Sequence, residues 1–501
     1  MKTVAALALS LFLFILGSAP AGAAPIPPTL AYSTPLGGPG QDVLTDIAVD
    51  SAGNAYVLIY FNTLPGGYFL VKLDSMGGLV FKQLLEMPHR KGPRVIALDP
   101  QGYIYIAGTW SADTGVGKGF VTKLTPDGIA IHYDTLFSDR ENDGVFDLAV
   151  DASGQAYVVS RDHTTYPVSS EVYRLSPTGE LDGGTGGGPY YVNAMAVGPD
   201  GDLFTLGWVD FQAVYLERKA PSGEVIETVI DETGALVPLG IAGFPDGGSV
   251  VVGSKGGLYV ARFGPAGEEV FSRVLNLGAV EVRDIAVTSS GEIVLAGYAG
   301  PASLPDAIVL RLDGRTGEVL SSAAFGGSGE DFAEAVAVDS KGDAYAAGTT
   351  LSSDFPTVNP IQPVGGYFDG FVARISKNRR PDCSGATASP STIWPPDRRQ
   401  VRISTRVPDA DGDSVTLKVT RILQDELFTA RMADAGGLGT AKPWVRADRM
   451  DTGDGRVYHL FFEATDPSGA KCTGEVKVCV PLLSGGTCRD GGARIDSTLP
   501  R

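Results

Sequence analysis

A glycine comes back seven times along this 501-residue chain, each time just after a short apolar stretch. The copies read IAVDSAG (ending at Gly53), IALDPQG (Gly102), LAVDASG (Gly154), MAVGPDG (Gly201), IAGFPDG (Gly247), IAVTSSG (Gly291) and VAVDSKG (Gly342). They are spaced by 49, 52, 47, 46, 44 and 51 residues. A period of this length, built from β-type segments and tight turns, specifies one small sheet repeated along the chain. A lone sheet cannot bury its apolar faces, so the copies must stack, and seven stacked radially close into a ring. The glycine supplies the positive φ that a turn with a bulge demands.

Each unit follows one grammar. A first strand ends at the turn, and Asp50, Asp99, Asp151 and Asp339 stand three residues before its glycine, placed to accept backbone N–H bonds inside the turn. A second strand follows (NAYVLIY, YIYIAGT, QAYVVS, DLFTLGW, GSVVVGS, EIVLAGY, DAYAAGT), then a variable loop and a third strand (FLVKL, FVTKL, EVYRL, VYLERK, YVARF, IVLRL, FVARI). Their alternation and β-branched content suit a pleated, buried sheet. A second turn glycine opens the fourth strand, and four strands make one blade of a β-propeller. The third strand always carries a basic residue: Lys72, Lys123, Arg174, Arg218, Arg262, Arg311 or Arg374. A feature present once per blade serves the blade, by pairing with a turn carboxylate or by covering apolar surface with its stem.

The ring closure is legible as well. Unit seven ends at FVARISKN (371–378) without a fourth strand, whereas LAYSTPLGG (30–38) is a strand with no unit before it. STPLGGPGQD (33–42) and SAAFGGSGED (322–331) share the pattern S-x-x-x-G-G-x-G-x-D. The N-terminal segment is therefore expected to be the fourth strand of the seventh blade, which removes an open sheet edge.

The units resemble the seven-bladed β-propeller repeats of bacterial secreted and surface proteins known as SBBP repeats. The resemblance is carried by FGGSGED (325–331), AVAVDSKGDAYAAGTT (335–350), DFPT (354–357) and DGFVARI (369–375), and in unit one by LGGPGQD (36–42) and IAVDSAGNAYV (47–57). Units four and five depart from it, with Gly198 and Phe244 replacing the turn aspartate. It implies fold over about 350 residues and says little about activity.

Beyond a Pro/Ser/Ala-rich join lie the alternating strands VRISTRV (401–407), SVTLKVTRI (414–422), RVYHLFFEATD (456–466) and TGEVKVCVP (473–481), the pattern of a small β-sandwich. Through STIWPPD (391–397), VPDADGDSVTL (407–417), LQDE (423–426) and 453–478 this region resembles immunoglobulin-like modules of secreted bacterial proteins, which present or attach something. The expected fold is thus all-β: a seven-bladed propeller over 29–378, closed by an N-terminal strand, a linker over 379–390, a sandwich over 391–484 and a tail over 485–501. All four cysteines lie in this region: Cys383, Cys472, Cys479 and Cys488. Cys472 and Cys479 share one strand, where seven residues span roughly 23 Å and place them on opposite faces. They cannot pair with each other unless the chain bends back. The pairing favoured is Cys383 with Cys472 and Cys479 with Cys488, free thiols being the alternative. Asp409, Asp411 and Asp413 form D-A-D-G-D, which reads either as a Ca²⁺-wrapping loop or as a solvated turn, the Glu of an EF-hand being absent. No other cofactor is called for.

Residues 1–23 read as an export signal: Lys2, the apolar run 4–17, and Ala21-Gly22-Ala23 as an A-x-A cleavage site. The expectation is a monomer, secreted or held in the cell envelope, with no transmembrane segment in the mature chain. The formal charge of −18 divides into −20 for 1–378 and +2 for 379–501. Such an acidic repeat region repels phosphate backbones and argues against nucleic acid.

Catalytic signatures are missing. His89, His132, His163 and His459 are scattered, with no H-E-x-x-H and no G-x-S-x-G. Loops on a rigid ring carry a propeller's variable function, so the face bearing the loops into the first strands is the candidate site. Its candidate ligand-binding residues are Asp42, Asp143 and Asp331, with Asp46, Asp147 and Asp284 just behind them, and the aromatics Tyr190 and Tyr191. The expected function is a non-catalytic binding scaffold whose loop face recognises a glycan, peptide or protein partner. The alternatives are a lyase or glycan hydrolase acting at the channel mouth, and a purely structural envelope protein.

Overall fold

Turn glycines and alternating apolar residues fix where nearly every element begins and ends. In the structure, a computed structural model, the seven repeat glycines all adopt φ between 81° and 86°, a region closed to most L-residues. The turn aspartates do the rest. Asp99, for example, accepts from the N–H groups of Gln101 (3.0 Å) and Tyr103 (2.9 Å), and Asp50, Asp151 and Asp339 repeat the pattern. In unit six Thr288 takes this role through its hydroxyl, which accepts from Glu292 N–H. The structure describes residues 29–38, 40–62, 66–85, 90–111, 117–137, 143–162, 169–185, 190–209, 212–365, 368–377, 379–409, 414–427, 432–451, 453–466 and 470–499.

The chain divides into a unit over Leu30–Ser376 and a unit over Lys377–Arg501. Among the described residues the first holds seven four-stranded antiparallel sheets, and the fold is a β-propeller. Six sheets use four consecutive strands, such as Asp42–Val49, Ala55–Phe61, Gly67–Leu73 and Leu79–Leu84. The seventh is built differently. Asp331–Val338, Ala344–Thr350 and Asp369–Ser376 supply three strands, and Thr29–Leu36 pairs beside Asp369–Ser376 as the fourth. Each first strand touches the first strands of both neighbouring sheets, and Asp331–Val338 touches Asp42–Val49, which closes the ring.

Packing repeats with the same period. Every junction between neighbouring sheets holds its own apolar cluster, including the one between the seventh and the first, where Tyr32, Leu44, Ile59, Ala335 and Tyr345 meet. Second strands are buried on both faces: Val57, Leu58 and Ile59 have no exposure. A fully buried aliphatic side chain of this kind contributes about 1.5–3 kcal/mol. Polar ties follow the same step around the ring. Tyr105 donates to the carbonyl of Gly154 and Tyr345 to that of Gly53, both at 2.9 Å. The third-strand basic residues reach across as well. Lys123 meets Asp99 and the carbonyl of Pro177, Arg218 meets Asp202 and Pro265, and Arg374 meets Asp343 and Ser75. They serve the blades, as a once-per-unit feature should.

The second unit has a four-stranded sheet ordered Lys471–Val480, Arg456–Thr465, Thr416–Gln424, Ile495–Asp496, and two smaller sheets. Its core gathers Ile393, Ile403, Val419, Leu460, Phe462 and Val478. The disulfides are Cys383–Cys472 and Cys479–Cys488, with Cα separations of 5.9 and 5.8 Å. Cys472 and Cys479 do share the strand Lys471–Val480. Thr387–Ser389, inside the segment read as a linker, pairs with Ser404–Arg406, and Ile495–Asp496, inside the segment read as a tail, pairs with Leu423 and Gln424. Proline- and serine-rich composition marks an irregular path but does not prevent short runs of backbone pairing.

Candidate functional site

All seven first strands carry an irregularity at one position. Their register slips between Leu44 and Asp46, Pro93 and Val95, Val145 and Asp147, Val192 and Ala194, Pro238 and Gly240, Val282 and Asp284, and Ala333 and Ala335. A bulge leaves one residue outside the ladder and re-aims its side chain. Here those residues are Thr45, Arg94, Phe146, Asn193, Leu239, Arg283 and Glu334. The frame is constant, and the chain fills the position with six residue types, arginine occurring twice.

Four of them, Thr45, Arg94, Phe146 and Glu334, line a depression of about 520 Å³, together with Tyr68, Thr109 and Thr349. Bulge residues of neighbouring sheets also touch. The Arg94 guanidinium lies 4.9 Å from the centre of the Phe146 ring, and Arg283 Nε is 3.9 Å from Glu334. Behind Phe146 stands Arg161, 3.7 Å from the same ring and 4.2 Å from that of Tyr191. Arg161 donates to the carbonyl of Val192 and to the hydroxyl of Tyr191 (2.8 Å), so it is held rigidly. Burial, with Arg94's charge adding to it, pulls the Arg161 guanidinium down to about 10.

The residue after the bulge carries a second device. Asp46 accepts from Ile47 N–H and, across the sheet junction, from Ile96 N–H at 2.8 Å. Asp147 does the same with Leu148 and Met195, and Asp284 with Ile285 and Val336, both cross-junction bonds being 2.7 Å. The first strands form the inner edge of each sheet, so their axis-side N–H groups have no ladder partner and a carboxylate of the preceding sheet satisfies them. Burial raises all three carboxyls, Asp147 to about 7 and Asp284 to about 6, while Asp46 is pushed further by the Asp284 charge.

The other expected site residues fall as follows. Asp42 and Asp331 are buried, at 0 % exposure, and close the loops that lead into their strands. Asp42 accepts from Gly38 and Asn62 N–H, and Asp331 from Gly327 N–H and the Ser352 hydroxyl. That explains the shared S-x-x-x-G-G-x-G-x-D pattern: the final aspartate pins the glycine loop. Asp143 and Tyr190 begin the strands Asp143–Val150 and Tyr190–Val197, and their side chains lie outside the described residues. Tyr191 is at the site, under Arg161. Asp409 is described, whereas Asp411 and Asp413 lie outside the described residues, as do His89 and His163. His132 sits on the outermost strand Ile131–Phe137, and His459 is enclosed in the second unit by Glu475 and Asp490. Sequence reading missed Arg94, Phe146 and Arg161. Aligning the seven units on the turn glycine and looking for the most variable column inside a constant frame finds the bulge position.

Residues 324–356, from the glycine loop of the seventh sheet through its second strand, match the SBBP beta-propeller repeat. The chain carries the SBBP β-propeller repeat. Among solved structures, the chain is similar to a protein of unknown function from Bacteroides caccae, at 14% identity and a TM-score of 0.33 over 45% of this chain and 78% of that one. It is also similar to a puromycin hydrolase variant complexed with PGG, at 15% identity and a TM-score of 0.45 over 63% of this chain and 51% of that one. No curated protein matches it.

Proposed function

We propose that this SBBP-repeat chain is a non-catalytic binding protein of the cell exterior or envelope. In this reading a seven-bladed ring offers the mouth of its channel as a recognition face, and an immunoglobulin-like C-terminal unit serves as an accessory module. The observation that carries it is the ring of bulge residues: a constant backbone frame presents seven side chains of six types, four of which line one depression. A rigid scaffold with a variable rim is how loop-bearing folds build specificity. Export is supported by the N-terminal signal pattern and by two disulfides, which persist in oxidising compartments. Among the described residues no helix is long and apolar enough to cross a membrane. The test is a binding screen of the purified chain against soluble glycans, peptides and envelope proteins, with and without EDTA. Saturable binding of one class, abolished by substitutions at the bulge positions, is the expected result. No binding by any class, or binding indifferent to those substitutions, contradicts the reading.

A further inference from the structure

The charges on the bulge residues are met unequally. Arg283 is answered on two sides, with Nη2 3.3 Å from Glu281 and Nε 3.9 Å from Glu334. Arg94 is equally exposed, yet no carboxylate among the described residues stands within ion-pair distance of it. Its guanidinium rests instead on Phe146, the ring already occupied by Arg161. Two cations on one phenyl group repel each other, and Arg161 spends its donors on Val192 and Tyr191 while Arg94 lines the depression. In a repeat region of formal charge −20, this is a guanidinium with no carboxylate partner among the described residues, pre-positioned in a depression that opens to solvent. The remaining lining mixes the hydroxyls of Thr45, Thr109, Thr349 and Tyr68 and the Glu334 carboxylate with the apolar Val43, Leu44, Pro93 and Val145. Such a mixture suits a sugar, whose ring faces are apolar and whose edges carry hydroxyls.

We propose that the channel mouth binds an oligosaccharide that carries a single hexuronate among neutral sugars, its one carboxylate paired with Arg94 and its hydroxyls held by Thr45, Thr109 and Glu334. This rests on the recognition-face reading above and narrows it to a ligand class. The experiment is isothermal titration of the full chain with gluco-oligosaccharides of three to six sugars that carry one glucuronate. The comparison ligands are a neutral gluco-oligosaccharide of equal length and an acidic peptide. The acidic sugar should bind, more weakly as salt rises, and the neutral sugar should not. Arg94→Gln should weaken binding about tenfold or more, the loss expected for one charge-assisted hydrogen bond. Arg94→Lys should fall between, and Arg283→Gln should change it little. An unchanged melting curve for each variant separates loss of contact from loss of fold. Equal binding of acidic and neutral sugars, or no effect of Arg94→Gln, overturns the proposal and leaves the recognition face standing. Binding of the acidic peptide alone does likewise. Failure of every probe counts against the proposal and the recognition face together.

Discussion

In the propeller unit, neighbouring sheets are joined by ties that repeat at every step: an apolar cluster, a basic residue reaching a carbonyl, a tyrosine or aspartate reaching the next sheet. In the C-terminal unit nothing repeats. There, two disulfides and one buried cationic centre reinforce a single apolar core, with Arg456 wholly enclosed, 2.8 Å from Asp434 and 3.5 Å from Glu426. The difference teaches where each unit is vulnerable. Many small equivalent ties spread the cost of losing one, whereas a few large ones concentrate it. It also shows where specificity has room to vary, because a repeated frame frees one position per sheet from structural duty.

The comparison breaks first at its covalent side. Replacing Cys383 and Cys472 with alanine should destabilise the C-terminal unit by about 4–5 kcal/mol, because the closed loop spans some 90 residues. Calorimetry should show that transition move while the propeller transition stays. Arg456→Met should cost the same unit about 3–5 kcal/mol by leaving Glu426 buried without its cation and Asp434 with Arg446 alone. On the propeller side, Asp50→Ala orphans the turn N–H groups of Ala52 and Asn54. Its expected cost, read by urea unfolding, is only about 1–3 kcal/mol.

Acidity sharpens the contrast further. Burial holds Asp147 at about 7 and Asp284 at about 6 in the fold, above the ordinary 3.8. The folded propeller therefore binds these protons more tightly than the unfolded chain. The stabilisation is complete below about pH 4 and is lost as pH rises through about 6 to 7. The propeller melting temperature should fall over that interval. Asp147→Asn should flatten the fall while lowering stability at acid pH, since an amide has one acceptor for two N–H groups. Smallest of all, Arg94→Gln should leave stability within about 0.5 kcal/mol, as expected of an exposed side chain outside the ladder.

Much of the ring was legible in the sequence because backbone demands leave residue-type signatures. A positive φ selects glycine at Gly53 and its six equivalents, a turn selects Asp50 or Asp99, and a missing strand in the last unit points to 29–36. Placing Cys472 and Cys479 on one strand excluded one of the three possible disulfide pairings, and the pairing favoured of the remaining two is the one that forms. The site was less legible. Asp42 and Asp331 read as candidate ligand-binding acids because sequence carries no depth, and the structure buries both as loop pins. Asp46, Asp147 and Asp284 read as a rim, although each reaches an N–H about fifty residues away in the next sheet. The bulge residues escaped because an extra residue in a strand breaks the period-two alternation without leaving a composition of its own.

The most direct measurement is hydrogen–deuterium exchange of the full chain with and without the glucuronate-bearing oligosaccharide. The account predicts new protection in 43–46, 92–95 and 144–147, around Thr45, Arg94 and Phe146, and none in the C-terminal unit. Protection confined to residues beyond 379, with those three segments unchanged, would contradict it.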